Sequence, residues 1–409
     1  MENPLGCCLL TGNIGRNLKK SNMEHFDYII AGGGCAGRSL ATRLLPFLKA
    51  RNKRVLVVDK STKKENDKTW CFWEDRTDIF EPVVQRKWNR LSFSGLSYDK
   101  ELSIQPYFYK MIRSGDFYQY TNDLLTNSPQ VSIKQGEVQN LYSEDKKAIV
   151  TIDGVLYSAD YVFSSIPQAQ EKDSQRYQYL LQHFNGWVIE TTADTFDPSC
   201  ATLMDFNTSQ HAGTSFFYVL PLSPRRALIE YTLFSEEVLP TASYTAALEK
   251  YIREQINCDH YTILEKEQGV IPMSDHPIKR EDGRIIYLGT AGGFTKGSTG
   301  YTFRFIQKHT SAIVEKLYRS GHPRVPPISS FRFPIYDGVL LHLLNSKRLS
   351  GVEIFTTMFK KNHPVKILKF LDNETSIFEE LLIFNTLQKK EFAMALWKRT
   401  LKLMKADSL

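Results

Sequence analysis

The sequence predicts an α/β protein that combines a Rossmann-type nucleotide-binding domain with a β-rich (α+β) second layer and a helical C-terminal region. Three observations support this prediction: a strand that runs through glycines into a helix near the N-terminus, long alternating strands after Trp187, and apolar stripes at helical spacing beyond residue 320. The chain has 409 residues, of which 42% are hydrophobic. This length and composition predict two domains with a sizeable core.

The first predicted strand and helix flank a glycine triplet. Residues 26–31 are apolar and predict a buried strand, and residues 36–48 predict a helix. Between them, Gly32, Gly34 and Gly37 have the G-x-G-x-x-G spacing. Backbone N–H groups at such a helix N-terminus favour a pyrophosphate, so the arrangement is typical of a dinucleotide site.

An acidic residue follows at the expected distance. Residues 54–59 predict a second strand that ends in Asp59, where a carboxylate is expected to bind a ribose hydroxyl. Ala36 at the helix start and Lys60 beside Asp59 complete the candidate cofactor-binding residues of this half. A lone glycine triplet is often only a tight turn. With two strands, a helix and an acid in register, the sequence predicts a dinucleotide site.

Charge and cysteine content exclude several classes of protein. The formal net charge is +7, and residues 338–409 hold 12 Lys or Arg against 7 Asp or Glu, so +5 of it lies there. The remaining chain is nearly neutral, which argues against nucleic acid as a partner. Six scattered cysteines without a CxxC pair indicate a reduced, cytoplasmic setting with no metal. No apolar run approaches the roughly 18–20 residues of a membrane-spanning helix.

Three large aromatic residues stand close together after the second strand. Trp70, Phe72 and Trp73 lie within the stretch KTWCFWE. Such clusters are most often ordinary core. Because aromatic faces stabilise cations, we also consider these residues as the wall of a substrate pocket.

One strand of the predicted β-rich layer, residues 226–234, carries a single acid, Glu230. Residues 187–192, 216–220 and 226–234 predict long strands, and strict alternation places Glu230 on the face opposite to Tyr231. A solvent-facing glutamate on an edge strand fits this pattern equally well.

A second glycine-rich loop follows a third buried strand, residues 284–288, and leads into a helix that ends near residue 317. No further strand-G-x-G-x-x-G-helix unit occurs, which favours FAD over NAD as the resident cofactor, with both ends of one dinucleotide on helix N-termini. The candidate cofactor-binding residues of this loop are Gly289, Gly292, Gly293, Thr299, Gly300 and Tyr301.

The C-terminal region is predicted to be helical and basic. Apolar residues alternate with Lys and Arg at 358–361, 366–369 and 397–405, a composition typical of interfacial helices, although a solvated basic face is the usual alternative. The predicted organisation is a disordered extension (1–24), the first part of the FAD-binding domain (25–185), a β-rich substrate domain (186–275), a return to the FAD-binding domain (276–320) and a membrane-facing helical region (321–409).

These stretches resemble the bacterial, flavin-dependent lycopene β-cyclases over about residues 27–396. The resemblance is carried by the glycine fingerprint at 32–37, DKTWCFW at 67–73, FFYVLPLSPRRALIEYT at 216–232, GVIPMS at 269–274 and AGGFTKGSTGY at 291–301. It implies a fold like the flavoprotein hydroxylases and an isomerase (intramolecular lyase) that cyclises the linear ends of lycopene, giving γ-carotene and then β-carotene.

The resemblance also implies the chemistry. A carboxylic acid, at Glu230 in this sequence, protonates the lycopene end group, and reduced FAD is required without net redox change. NAD(P)H is the expected electron source and the membrane surface the expected location. A glutamate with an ordinary pKa of about 4.3 is ionised at pH 7, so half protonation needs a rise of roughly 2.7 units, about 3.7 kcal/mol, which apolar burial supplies.

Two departures from the family pattern leave questions open. Members often carry a second acid after the catalytic glutamate, but Tyr231 stands here, so the acceptor of the final proton is unassigned. Thr290 stands where flavoproteins usually have an aspartate that holds the ribityl chain. The alternatives are an FAD-dependent redox enzyme on a lipophilic isoprenoid, such as a hydroxylase or prenyl reductase, and a carotenoid-binding flavoprotein without turnover.

Overall fold

The structure is a computed structural model that describes residues 23–63, 65–168, 173 and 176–406. The predicted N-terminal extension lies outside the described residues, apart from its last two positions.

The strands, in chain order, are β1 (Glu24–Ala31), β2 (Val55–Asp59), β3 (Thr69–Glu74), β4 (Val84–Trp88), β5 (Arg90–Gly95), β6 (Tyr98–Ser103), β7 (Phe108–Arg113), β8 (Val131–Gln135), β9 (Val138–Ser143), β10 (Ala148–Ile152), β11 (Val155–Ser164), β12 (Tyr179–Thr191), β13 (Cys200–Asp205), β14 (Thr214–Ser223), β15 (Arg226–Ser235), β16 (Tyr261–Ser274), β17 (Glu281–Asp282) and β18 (Ile285–Tyr287). The helices are α1 (Cys35–Arg51), α2 (Ser114–Thr126), α3 (Thr241–Glu254), α4 (Phe303–Ser320), α5 (Arg332–Asn345), α6 (Gly351–Lys361), α7 (Pro364–Leu371), α8 (Ile377–Thr386) and α9 (Lys389–Ala406).

The first sheet has the order β17-β18-β11-β1-β2-β8, with β10 and β9 continuing from β11. Its five strands from β18 to β8 are parallel. Alternate residues of β1 face opposite cores: Ile30 packs with Leu40 and Ile306 of the covering helices, and Ile29 packs with Val150 of β10. Burial on both faces explains the continuous apolar run in β1, and the Rossmann-type prediction is confirmed.

The second sheet has the order β16-β12-β15-β14-β13-β5-β6. Ile229 and Tyr231 of β15 face α3, where they pack with Leu248. Leu228 lies on the opposite face, in the core shared with the C-terminal helices. Because β15 lies between β12 and β14, the edge-strand alternative for Glu230 is wrong.

The boundary predicted at residues 185/186 does not coincide with the sheets. The hairpin β5–β6 belongs to the second sheet, and β12 begins at Tyr179. The physical reason lies in β5: Phe93 is fully buried and stacks on Phe359 of α6 at 4.7 Å between ring centroids. A third sheet, β3-β7-β4, stands apart from the other two.

The helical C-terminal region is confirmed, and it is tied to the body by buried ion pairs. Arg399 of α9 pairs with Asp275, and Lys296 pairs with Asp337 of α5 at 2.7 Å. Within the described residues, no helix combines the length and apolarity needed to cross a bilayer.

Candidate functional site

Both glycine-rich loops and Glu230 lie on the wall of one cavity of about 460 Å³. The cavity lies where α1, α4 and the second sheet meet. Of the predicted site residues, those on its wall are Gly34, Ala36, Trp70, Glu230, Gly289, Thr299, Gly300 and Tyr301.

Each glycine of the first loop has a different role. Gly32 has φ +102°, a conformation that L residues with side chains rarely adopt. A Cβ at Gly37 would lie 1.9 Å from the carbonyl oxygen of Gly32, so the strand and helix can approach only without a side chain there. A Cβ at Gly34 would meet no protein atom within 4 Å. The space in front of the α1 N-terminus is therefore open to a ligand.

The last residue of β2, Asp59, holds the first glycine loop in place. The Asp59 carboxylate accepts hydrogen bonds from the backbone N–H groups of Gly33 at 2.7 Å and Ser61 at 2.8 Å. Lys60 is exposed and lies off the cavity wall, whereas Lys63 is on it, 3.7 Å from Asp59. Sequence reasoning missed Lys63 because it lies in a charged connector without a motif.

The second glycine loop reaches the first. Gly289 has φ +55°, and a Cβ there would lie 3.0 Å from the Cβ of Ala36. Gly292 and Gly293 follow behind this contact: a Cβ at Gly292 would meet the carbonyl oxygen of Tyr287 at 2.3 Å, and Gly293 has φ +74°. Two helix N-termini, those of α1 and α4, thus open on one cavity, and these residues fit a dinucleotide such as FAD.

Glu230 faces this cavity from the centre of the second sheet. The Thr232 hydroxyl donates to Glu230 Oε1 at 2.7 Å, and Tyr218 is its register partner on β14. Burial, followed by the charge of Glu267, raises the pKa of Glu230 from 4.5 to about 8. The predicted rise in pKa is therefore present, and the carboxyl group can hold a proton at neutral pH.

The pKa shift predicts a pH-dependent stability. Since the folded state holds the Glu230 proton more tightly than the unfolded chain, stability falls as pH rises from about 4.5 to 8. Glutamine does not ionise, so Glu230→Gln is expected to melt at a higher temperature than wild type at pH 8 and at nearly the same temperature at pH 5. Thermal melts at the two pH values check this. The prediction is contradicted if the melting temperatures of the variant and wild type differ by the same amount at pH 5 and at pH 8.

Sequence reasoning missed a second carboxyl group, Glu267 of β16. It shares a hydrogen bond with Glu230, and burial raises its pKa as well. The Thr69 hydroxyl donates to Glu267 Oε2 at 2.6 Å. The one signal in the sequence is its position two residues before the GVIPMS stretch, which continues the same strand.

Neutral aromatic groups surround Glu230. The hydroxyl oxygens of Tyr109 and Tyr301 are 3.4 Å apart, and the Tyr218 hydroxyl shares a hydrogen bond with that of Tyr301. Burial raises the pKa of each hydroxyl and of the Cys71 thiol, so all four stay uncharged at neutral pH. The rings of the three tyrosines can stabilise a cation formed beside Glu230.

The three aromatic residues of β3 do not share one environment, because successive side chains of a strand point to opposite faces. Trp70 lies on the main cavity wall, and Trp73 lines a smaller apolar cavity that shares Tyr218 and Tyr301 with it. Phe72 packs in the core, stacked on Phe303 at 4.5 Å.

A protein-family profile matches most of the chain. The family profile described as lycopene cyclase protein matches residues 27–396. The chain belongs to the lycopene cyclase family. A lycopene beta-cyclase from Pantoea ananas is 26% identical to this chain over 274 residues. The matched part covers 61% of this chain and 63% of that protein. The chain thus matches less than two thirds of the length of this curated relative.

Solved structures with the same fold carry flavoprotein and reductase names. A flavoprotein/dehydrogenase from Cytophaga hutchinsonii has a TM-score of 0.58 and 12% identity, covering 92% of this chain and 99% of its own. A geranylgeranyl bacteriochlorophyll reductase-like protein from Thermoplasma acidophilum has a TM-score of 0.55 and 12% identity, with 94% and 99% coverage. At this identity the likeness shows the fold, and it agrees with the predicted flavoprotein-hydroxylase-like architecture.

Proposed function

We propose that the protein is a lycopene β-cyclase that uses Glu230 as the acid for a non-redox ring closure. The observation that carries this proposal is a carboxyl group with a raised pKa beside neutral tyrosines, in the cavity that both glycine loops share. Family membership supports a carotenoid end group as substrate.

The proposed reaction begins at the Glu230 carboxyl group. It transfers its proton to C2 of the linear end group, which leaves a tertiary cation at C1. The C5=C6 double bond attacks C1, the C1–C6 bond forms, and loss of the C6 proton completes the β-ionone ring. One proton enters and one leaves, so substrate and product are isomers.

The cavity wall supplies what this reaction needs. The Thr232 hydroxyl fixes the direction of Glu230, and Tyr109, Tyr218 and Tyr301 offer ring faces rather than nucleophilic anions to the cation. The smaller cavity beyond Tyr218 is lined by apolar side chains from the second sheet and from α6 and α7, but its volume of about 20 Å³ has room for about one water molecule. The main cavity of about 460 Å³ is therefore the proposed site of the end group.

FAD is the proposed resident cofactor. Gly34 and the α1 N-terminus would hold its pyrophosphate, in a loop whose shape depends on Gly32 and Gly37. Asp59 at the end of β2 and Lys63 on the cavity wall would hold its ribose end, and the second glycine loop with the α4 N-terminus would hold the flavin ring. Reduced FAD supplies electron density that stabilises positive charge, and NAD(P)H is the proposed source of electrons.

An anaerobic assay tests this function. Purified protein in liposomes receives lycopene and chemically reduced FAD, and the pigments are separated by chromatography. We expect γ-carotene and then β-carotene, with the flavin still reduced at the end of the reaction. Saturated pigment formed as the flavin is oxidised would favour a reductase, and hydroxylated pigment in a parallel aerobic assay with NAD(P)H would favour a hydroxylase. Bound but unchanged lycopene would favour a carotenoid-binding protein.

We also propose that the protein docks on the membrane through α8 and its neighbours. The predicted interfacial stretches at 358–361 and 366–369 bury Phe359 and Leu368 in the core, so they do not supply this surface. Large exposed apolar side chains occur instead on α8, on α9 and at the start of α5: Phe331, Ile377, Phe378, Leu381, Leu382, Leu396, Trp397 and Leu401.

This surface joins apolar and basic groups. Arg332 bonds to Glu380 at 2.8 Å and holds the start of α5 against α8, while α9 also contacts α8. Phe378 is 81% exposed, and Lys389 and Lys398 on α9 are exposed as well. An apolar face beside lysines fits the interface of a bilayer that contains anionic lipid.

Replacing Phe378 and Leu382 together with serine is expected to weaken liposome binding by at least about a hundredfold, because each such side chain contributes about 1.5–3 kcal/mol when buried and about 1.4 kcal/mol corresponds to tenfold. Sedimentation with vesicles that contain anionic lipid measures this. Val155→Ser, an exposed position in the first sheet, is the matched control. Equal binding by the double variant and the control would contradict the proposed docking surface.

A further inference from the structure

Glu230 and Glu267 meet across a glycine. β12 lies between β15 and β16, and its Gly186 is the register partner of both Glu230 and Glu267. The three residues therefore form one row across three strands. Neighbouring strands are about 4.8 Å apart, so two carboxyl groups separated by one strand touch only if the residue between them leaves room.

Gly186 provides this room. A Cβ built on it would lie 3.2 Å from Cγ of Glu267, 3.5 Å from Cβ of Glu230 and 3.1 Å from Cδ1 of Leu228. Any longer side chain would occupy the space through which the carboxyl groups meet. Glycine inside a strand weakens the strand and often marks a close approach of other groups.

The hydrogen bonds and charges around Glu230 and Glu267 differ, so the two carboxyl groups do not ionise equally readily. Thr232 donates to Glu230, and Thr69 donates to Glu267. The Arg113 guanidinium on β7, itself paired with Glu265, is a positive charge that favours the ionised form of Glu267. The titratable groups that face Glu230 from β3, β14 and the second glycine loop are Cys71, Tyr218 and Tyr301, all uncharged at neutral pH.

We propose that Glu267 is a positioning residue that shares one proton with Glu230 across Gly186 and keeps that proton on Glu230, ready for transfer. The inference rests on the proposed role of Glu230 as the acid. Two carboxyl groups in contact do not both ionise readily, because like charges repel in a buried site. Thr69 and Arg113 stabilise the charge on Glu267, which leaves the proton with Glu230.

The pair also accounts for the proton that leaves the substrate. When Glu230 protonates C2, a C–H bond forms and the pair is left with two negative charges. When the C6–H bond breaks after ring closure, its proton returns to the pair, which is a base on the cavity wall and is restored to one proton. No oxidant or reductant is consumed, and Tyr231, which faces α3, takes no part.

The test compares pH profiles of single-turnover cyclisation for wild type, Glu267→Gln and Gly186→Val, with Glu190→Gln as control. Glu190 lies on β12 but pairs with Arg226 at the surface. Glu267→Gln removes the charge beside Glu230, and Gly186→Val separates the two carboxyl groups. Both are expected to move the alkaline limb of the pH–rate profile to lower pH. For each pH unit by which the limb moves, the rate at pH 8 falls by about tenfold, and turnover recovers at acid pH.

A second measurement does not depend on activity. Infrared spectroscopy follows the carbonyl band of a protonated carboxylic acid against pH in the flavin-loaded proteins. In wild type and the Glu190→Gln control we expect a band that persists at neutral pH, and in Glu267→Gln a band that disappears at lower pH. Retained flavin absorbance shows that the Gly186 variant is folded.

The outcomes separate the pair from the proposed function. If Glu267→Gln leaves both the alkaline limb and the carbonyl band unchanged, the shared proton is refuted while Glu230 remains the acid. If Glu230→Gln turns over as fast as wild type, the proposed function fails, and the infrared titration still decides whether the two carboxyls share a proton.

Discussion

Glu230→Gln is expected to lower the rate of ring formation by about 10²- to 10⁴-fold, the usual contribution of a positioned general acid. Glutamine keeps the size of the side chain and can still accept the bond from the Thr232 hydroxyl, but it has no carboxylic acid proton. Because Glu230 lies at the Tyr218 end of the cavity and the glycine loops are unchanged, we expect FAD to stay bound.

The measurement is product formation per bound flavin, with lycopene in liposomes and reduced FAD. Glu190→Gln, on the same sheet, controls for the loss of a carboxylate as such. If Glu230→Gln retained more than about one tenth of the wild-type rate, proton transfer from Glu230 would not be the step that limits or starts the reaction.

Alanine substitutions at Gly34 and Gly37 are expected to separate cofactor binding from folding. At Gly37 the new Cβ would lie 1.9 Å from a backbone oxygen, so β1 and α1 must move apart; we expect lost stability, about 1–3 kcal/mol for an overpacked site, together with lost FAD. At Gly34 the new Cβ meets no protein atom, so the apoprotein should melt as wild type does while FAD binds more weakly.

Flavin titration and thermal melts of the apoprotein measure the two effects. The contrast is sharp because both residues belong to one motif and receive the same methyl group. If Gly34→Ala bound FAD with wild-type affinity, the pyrophosphate would not approach the backbone at this point, and the proposed placement of FAD would have to change.

Local sequence patterns predicted the parts of the site that depend on one segment. The glycine spacing located the turn between β1 and α1, and alternation assigned Glu230 and Tyr231 to opposite faces of β15. Both follow from the geometry of a single strand or turn, which the order of residues determines.

Contacts between distant segments could not be predicted in this way. Glu267 meets Glu230 only because β12 pairs with both β15 and β16 and has Gly186 at the shared register. Phe72 and Trp73 are neighbours in sequence, but the pleat of β3 sends one into the core and the other to the smaller cavity. The hairpin β5–β6 joined the second sheet because Phe93 finds its partners on the C-terminal helices.

Proton-initiated cyclisation is tested most directly by the isotope content of the ring. Protein equilibrated in D₂O with reduced FAD under anaerobic conditions converts lycopene in a single turnover, and mass spectrometry and NMR locate the label. Transfer from a carboxyl group that exchanges with solvent predicts one deuterium at C2 of the first ring formed, and Glu230→Gln is expected to form this labelled ring about 10²- to 10⁴-fold more slowly. Cyclic product without deuterium at C2 would contradict the role of Glu230 as the acid.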